Sequence, residues 1–494
     1  MNLLSIISGI LLTISFAPFS YYYVSFIALV PLLFSIQETD SKHAFKKGYI
    51  AGLSHYLTLL YWIPYPISKY GGIPIYLSIP PYILLCMYIS LFTGIFCWLC
   101  RIKEQFSLIT YPFYWILLEF IRANFFTGFP WCLLGYSQYK NIHIIQVADI
   151  IGIYGISFLI VLINVFIYKL LKKDITAKQF VFVGFICLGT YCYGVYRLNE
   201  PLPIYKKIKV AIIQGDIDQS LKWNPTYQKR TMDIYTNLTR KSYLYKPTLI
   251  VWPETAVPFF FQDKGKFAKK IFYIVKESKA TLIFGSPAYI KNQKGIKYYN
   301  RAYMISYGHS PIYYDKVHLV PFGEYVPLKR VLFFLNRLVP AAGDFSSGHK
   351  IYPLKSNGIV AGIMICFEAI FPEIARHLTL KGANILVNIS NDAWFGKTFA
   401  PYQHLSMSVL RAVENRRSLV RSTNTGISVF VDPFGRIIKK SALFKRQILL
   451  STLPLIKDYK SLYTIYGNVI VYIAIIITFF NTGGILWQKL KEQL

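Results

Sequence analysis

Apolar positions fall into two regimes along this chain. Long, nearly unbroken runs crowd the first 200 residues and return only at the end. Between them, short apolar runs alternate with polar, periodic ones. A helix crossing a bilayer needs about 20 predominantly apolar residues. Runs at residues 3–18, 22–36, 48–65, 82–99, 106–126, 151–171, 180–196 and 465–486 therefore predict about eight spans. The first two are short for a span and suit a tilted, re-entrant or partly interfacial segment. The stretch 128–147, with Phe129, Trp131 and Tyr136, is amphiphilic and reads as an interfacial loop or helix.

The pattern changes near Ile204. Residues 207–214, 247–252, 280–285, 358–365, 384–389, 418–422, 426–431 and 437–440 read as strands. Residues 300–307 and 311–314 read as a hairpin around Gly308. Helical periodicity marks 227–245, 264–278, 372–380 and 401–416. Strands alternating with helices predict an α/β domain with a largely buried sheet. The expected organisation is a helix bundle over 1–200, an α/β domain over 201–461, and a last span with a short tail over 462–494.

Composition agrees with a membrane protein that carries one polar block: of 494 residues, 54% are hydrophobic, 17% aromatic and 16% charged. Lys and Arg place the loops. Lys42, Lys46 and Lys47, then Arg101 and Lys103, then Lys169, Lys172, Lys173 and Lys178, then Lys489 and Lys491 follow alternate spans, and the intervening loops are poorer. By the positive-inside rule both termini are cytoplasmic and the polar block is extracytoplasmic. Only Ala17-Pro18-Phe19-Ser20 follows the first run, so it is expected to be retained as a span. The net charge of +31 fits a Lys-rich surface plus this bias; attraction to anionic lipid is the second reading. Cys97 and Cys100 lie in an apolar run with no second pair, so no metal is expected. No glycine-rich phosphate loop is present, and neither a cofactor nor nucleic acid is expected.

Three residues carry candidate chemistry. Cys366 stands alone among the seven cysteines in the polar block and ends the run 358–365. A thiol where a strand hands over to a helix is expected to have its pKa lowered by the helix dipole. Glu254 follows the run that ends in Trp252-Pro253, and Lys316 follows Tyr313-Tyr314-Asp315. Groups at strand ends of an α/β sheet commonly converge on one crevice. Together they can take a thiol proton, attack a carbonyl and stabilise the oxyanion. Singly, each also has an ordinary reading: a core thiol, a turn cap, a surface lysine.

Trp252-Pro-Glu254, Asp315-Lys316 and Cys366-Phe-Glu368 resemble the Glu–Lys–Cys signature of the nitrilase, or carbon–nitrogen hydrolase, superfamily. Longer strings are more specific: Gln219-Ser-Leu-Lys-Trp223, the run from His318 to Pro327, Ile389-Ser-Asn-Asp-Ala-Trp-Phe-Gly396 and Arg421-Ser-Thr-Asn-Thr-Gly426. These resemble the membrane-bound apolipoprotein N-acyltransferase family of bacteria, over nearly the whole chain. The resemblance implies a four-layer α-β-β-α sandwich on a membrane bundle, in the bacterial inner membrane with the domain on the periplasmic side. It implies Glu254 as general base, Lys316 as oxyanion cation and Cys366 as nucleophile. Glu324, Glu368 and Trp223 are implied as supporting residues. One departure is Phe367, where many members carry tyrosine. The implied partners are a phospholipid acyl donor and a diacylglyceryl lipoprotein precursor as acceptor. Phe259, Phe260 and Phe261, with Phe367 and Trp394, are expected beside the acyl chains, as is the apolar cluster 331–335; ordinary core is the alternative. Asn391-Asp392 is expected either to line the site or to mark a turn.

Two other functions stay open. A tethered amidase would use the same three residues but needs only one anchor. A transporter would be expected to carry more ionisable residues within its spans than Glu119 and Arg122.

Overall fold

The computed structural model describes residues 2–102, 106–222, 224–293, 295–326 and 345–493, the stretch 484–493 by its backbone. Trp223 and the cluster 331–335 lie outside the described residues. The chain divides into two compact units. One comprises residues 1–64, 75–200 and 466–494, the other 65–74 and 201–465.

The first unit is helical. Among the described residues three helices are long and apolar enough to cross a membrane: Ile75–Ile102, Ile144–Leu171 and Ala177–Asn199. Leu3–Ser15, Tyr22–Ile36 and Val469–Gly483 are apolar but shorter. The expectation of about eight spans is thus met by length and composition for three. Ser41–Leu59 and Ser107–Asn124 are helices where spans were expected. The first carries Lys42, His43, Lys46 and Lys47, and the second Tyr111, Tyr114, Glu119 and Arg122, which lower their hydropathy. Small residues set the packing: a side chain on Gly48 would come within 2.6 Å of Cys97 Sγ, so Ser41–Leu59 and Ile75–Ile102 approach closely. The stretch 128–147 is the one expected as an interfacial loop or helix. It forms the 3-10 turns Leu134–Gln138 and Ile144–Val147, with Trp131, Tyr136 and Gln138 buried.

The second unit holds two six-stranded sheets. The first runs β12-β1-β2-β3-β4-β5, the second β11-β10-β9-β8-β7-β6. The strands are β1 Ile204–Gln214, β2 Leu249–Val251, β3 Thr281–Asn292, β4 Gly295–Ile305, β5 Ile312–Asp315, β6 Leu354–Ser356, β7 Ile359–Ile365, β8 Ile385–Ser390, β9 Leu419–Thr423, β10 Val429–Val431, β11 Ile437–Lys440 and β12 Gln447–Ile456. β1, β2 and β3 are parallel, as are β7, β8 and β9, and the outer strands pair antiparallel.

The period of two along a strand builds the layers. In β1, Ile208, Val210 and Ile212 face a core shared with Ile363 and Ile365 of β7, Val387 of β8 and Phe430 of β10. The alternate residues Ala211 and Ile213 face Met232 and Tyr235 of α1 (Pro225–Ser242) and Ile271 and Ile274 of α2 (Lys266–Ser278). Helices α3 (Pro372–Leu380) and α4 (Ala400–Asn415) lie against the second sheet. The expected α/β architecture is present as two facing sheets with helices outside them. β12 was not expected from the sequence. It contains Pro454, which suits its place at the sheet edge, where a missing N–H costs no ladder bond.

Candidate active site

Polar side chains gather where β2, β5 and β7 end. Glu254 lies three residues past β2 and is buried. β3 runs close to it: a side chain on Gly285 would sit 2.8 Å from Glu254 Cα and 2.5 Å from Thr255 N, so only glycine allows this approach. Lys316 directly follows β5, its N–H donating to the Asn300 carbonyl of β4 at 2.9 Å. Its ammonium is 1% exposed and meets Glu324 Oε2 at 2.8 Å. Asn300 Nδ2 ties the two carboxylates together, donating to Glu254 Oε1 at 2.7 Å and to Glu324 Oε1 at 2.9 Å.

Cys366 follows β7 and opens a five-residue 3-10 turn, Cys366–Ile370, with a left-handed φ of 50°. Such backbone costs roughly 1–3 kcal/mol and persists only where the surroundings hold it. Glu368 is one holder. Its Oε2 accepts from Ile365 N at 2.7 Å; its Oε1 accepts from Val317 N at 2.7 Å, His318 N at 3.2 Å and Tyr314 Oη at 2.9 Å. One carboxylate thus fixes the residue before the thiol and the residue after Lys316.

The electrostatics differ from the expected helix-dipole effect. Burial pushes the Cys366 thiol up to about 12; Glu254 and, less, Asp392 add to the rise, while Lys316 and the Ser390 hydroxyl oppose it. A five-residue 3-10 turn offers little dipole, so burial wins. Burial also raises the Glu254 carboxyl, with Lys316 and Asn300 opposing and Glu324 reinforcing. For Lys316, burial pulls the other way, yet Glu324, the thiol and Glu254 keep it above the ordinary lysine value. The charges of Glu254 and Lys316 therefore both bear on the thiol, and the sequence-expected trio is brought together. A carboxylate with raised proton affinity beside a protonated thiol and a firm ammonium suits base-assisted nucleophilic attack.

Asn300 and Lys222 were not expected from the sequence. Asn300 sits inside a strand pattern with nothing to mark it. Lys222 is buried, donating to Thr255 Oγ1 at 2.5 Å and the Glu254 carbonyl at 3.3 Å, and burial pulls it down to about 7. Asp392, open between lining and turn, is fully buried and accepts from Arg421 Nη2 at 2.8 Å and Ser390 Oγ at 2.8 Å.

The aromatic residues separate. Phe259 and Phe260 line a cavity of about 570 Å³ together with Phe267, Pro287, Tyr298 and Phe345. Phe261 does not join them: it is 3% exposed and packs on Phe284 and Tyr303, in the core. Three adjacent residues cannot share one face, and here the core takes one ring. Phe367 is buried against His318 and Phe371. Trp394 meets the Tyr70 ring edge-on at 4.7 Å, and Tyr70 Oη donates to the Ala393 carbonyl at 3.0 Å. Among the described residues no cluster of three or more His, Cys, Asp or Glu could hold a metal.

Comparison with known proteins follows the same division. Residues 8–166 match the apolipoprotein N-acyltransferase N-terminal domain, and residues 209–460 match carbon–nitrogen hydrolase. An apolipoprotein N-acyltransferase of Geobacter metallireducens is 41% identical over 485 residues, 96% of this chain and 93% of the relative. Its counterpart from Rickettsia bellii is 32% identical over 492 residues, 97% of this chain and 95% of the relative. Among solved structures, a carbon–nitrogen hydrolase from Helicobacter pylori is similar over 50% of this chain and 89% of its own, at 20% identity and a TM-score of 0.39. Full-length identity at this level, spanning both the helical unit and the α/β unit, means that the chain belongs to the apolipoprotein N-acyltransferase family.

Proposed function

We propose that the protein transfers an acyl chain from a membrane phospholipid to the N-terminal α-amino group of diacylglyceryl-cysteine on apolipoproteins, in two steps at Cys366. Glu254 takes the thiol proton, and the thiolate attacks the sn-1 ester carbonyl. Lys316 faces the developing oxyanion. The C–O bond breaks, Glu254 returns its proton to the leaving alkoxide, and a lysophospholipid departs. The amine then attacks the thioester carbon and gives its proton to Glu254. The C–S bond breaks, and the thiolate is reprotonated. Glu324 holds the Lys316 ammonium, and Glu368 holds the backbone next to Lys316 and Cys366, at Val317 and at Ile365.

The observation that carries this reading is the joint action of Glu254 and Lys316 on a buried thiol, in a chain whose relatives at full length are named apolipoprotein N-acyltransferases. The cavity beside Phe259 and Phe260 supports a place for an acyl chain. A tethered amidase would need neither that cavity nor a helical unit of this size. The test is to supply purified protein with phospholipid and a diacylglyceryl-cysteine peptide. The reading expects N-acylated peptide and lysophospholipid, with no ammonia from small amides. Ammonia release without acyl transfer would favour the amidase.

The shorter apolar helices and the helices Ser41–Leu59 and Ser107–Asn124 are proposed to join the three long ones, about eight spans in all, in a bacterial inner membrane with both termini cytoplasmic. Lys and Arg in alternate loops support this orientation, and it places residues 201–461 on the periplasmic side. Leu244 is 94% exposed. A Leu244→Cys variant should therefore react with an impermeant maleimide in intact spheroplasts above the parental background. Labelling only after lysis would reverse the topology.

A further inference from the structure

Behind Cys366, four elements meet in a buried polar chain that the proposed chemistry does not use. Asp392 follows β8, Arg421 lies in β9, His404 lies in α4, and the Cys366 carbonyl follows β7. His404 Nε2 lies 3.2 Å from that carbonyl oxygen. A carbonyl can only accept, so Nε2 carries the hydrogen. His404 Nδ1 lies 3.0 Å from Arg421 Nη2 and 3.3 Å from Asp392 Oδ1; a guanidinium can only donate and a carboxylate only accept. Nε2–H is required whichever of them Nδ1 serves, and the nearer contact, with Arg421, favours a bare Nδ1. Arg421 is in turn held by Asp392 Oδ2 at 2.8 Å, and its Nη1 donates to Asn388 Oδ1. Asn388 Nδ2 reaches the same Cys366 carbonyl at 3.4 Å. Gly426 leaves room for Asp392, since a side chain there would stand 2.3 Å from Oδ2. Arg421, Asp392 and His404 are all 1% exposed or less.

Cys366 keeps a left-handed φ without being glycine. Glu368 fixes the amide before it; nothing in that contact fixes the carbonyl after it. We propose that His404 is a positioning residue for the nucleophile, its Nε2–H locking the Cys366 carbonyl and so the strained backbone of the reacting residue. Asp392 and Arg421 hold the ring from its Nδ1 side. Burial and the Arg421 charge hold His404 below its ordinary value against the opposing pull of Asp392; Arg421 pairs with Asp392, whose charge also adds to the rise of the thiol. This inference rests on Cys366 being the nucleophile.

The test uses full-length protein in detergent with phospholipid alone, following single-turnover acylation of Cys366 by mass. His404→Leu removes the donor, and His404→Gln offers a carboxamide N–H near the position of Nε2. The expected result is acylation slowed about tenfold or more in His404→Leu, a loss of the size of one hydrogen bond in the transition state. The phospholipid concentration at half-maximal rate should not change, and His404→Gln should recover most of the rate. An unchanged rate in His404→Leu, or His404→Gln as slow as His404→Leu, overturns the proposal. If His404→Leu does not fold, a folded His404→Gln slowed about tenfold overturns it and a near-parental rate upholds it. An adduct on parental Cys366 with an unaffected His404→Leu removes only this inference. No adduct on the parent removes the nucleophile reading and this inference with it.

Discussion

Glu368 Oε1 accepts the N–H of Val317 at 2.7 Å, while its other oxygen accepts the N–H of Ile365. One buried side chain therefore sets the spacing between the strand end that carries Lys316 and the one that carries Cys366. Three of its four partners are backbone N–H donors, and the fourth, the Tyr314 hydroxyl, can donate to the carboxylate or accept its proton.

Glu368→Gln turns an amide nitrogen toward these donors. Leaving buried N–H groups unpaired costs about 1–3 kcal/mol, and acyl transfer should fall because both reacting ends shift. The cost should depend on pH. Burial raises Glu368 from 4.5 to about 7, so between those values the folded state holds a proton that the unfolded state releases. Parental stability therefore falls as pH rises through that window. Glutamine has no such dependence. Thermal unfolding at pH 5 and pH 8 should show the gap between parent and variant wider at pH 5.

Lys316→Met should reduce turnover at least about 100-fold, the usual effect of removing an oxyanion partner. It should also lower the unfolding temperature, because Glu324 loses a buried partner at 2.8 Å. Lys316→Arg should not restore activity, since the planar guanidinium does not fit a site built around an ammonium. Steady-state acyl transfer beside a melting curve checks both; near-normal turnover in Lys316→Met would exclude it from the chemistry.

Much of this site was legible because its reactive side chains stand at strand ends: Glu254 three residues past β2, Lys316 directly past β5 and Cys366 directly past β7. A strand run that ends in a reactive polar side chain is visible in one dimension. Asn300 was not, because an asparagine inside a strand gives no sign of which side chains lie opposite. His404 was hidden for a related reason: its partners Cys366 and Arg421 come from other elements. The ionisation of Cys366 was misread because the sequence signals a strand-to-helix junction but not the length of the helix or the depth of burial. In the fold, β12 was missed because its strand pattern contains a proline, which only the edge position explains.

The three adjacent phenylalanines offer a separable test. Phe261→Ala removes a core ring and should cost about 3–5 kcal/mol of stability. Phe259→Ala with Phe260→Ala opens the cavity wall and should leave the melting temperature within a few degrees while phospholipid consumption drops. Unchanged lipid use in the double variant would mean that the cavity does not take the acyl chain.

The central claim is a thioester on Cys366, and mass analysis of the protein incubated with phospholipid and no acceptor tests it most directly. The expected result is one acyl mass on the peptide containing Cys366, removed by hydroxylamine, accompanied by lysophospholipid and absent from Cys366→Ala. An adduct on any other residue, or acyl transfer with neither adduct nor lysophospholipid before the acceptor is added, would contradict it.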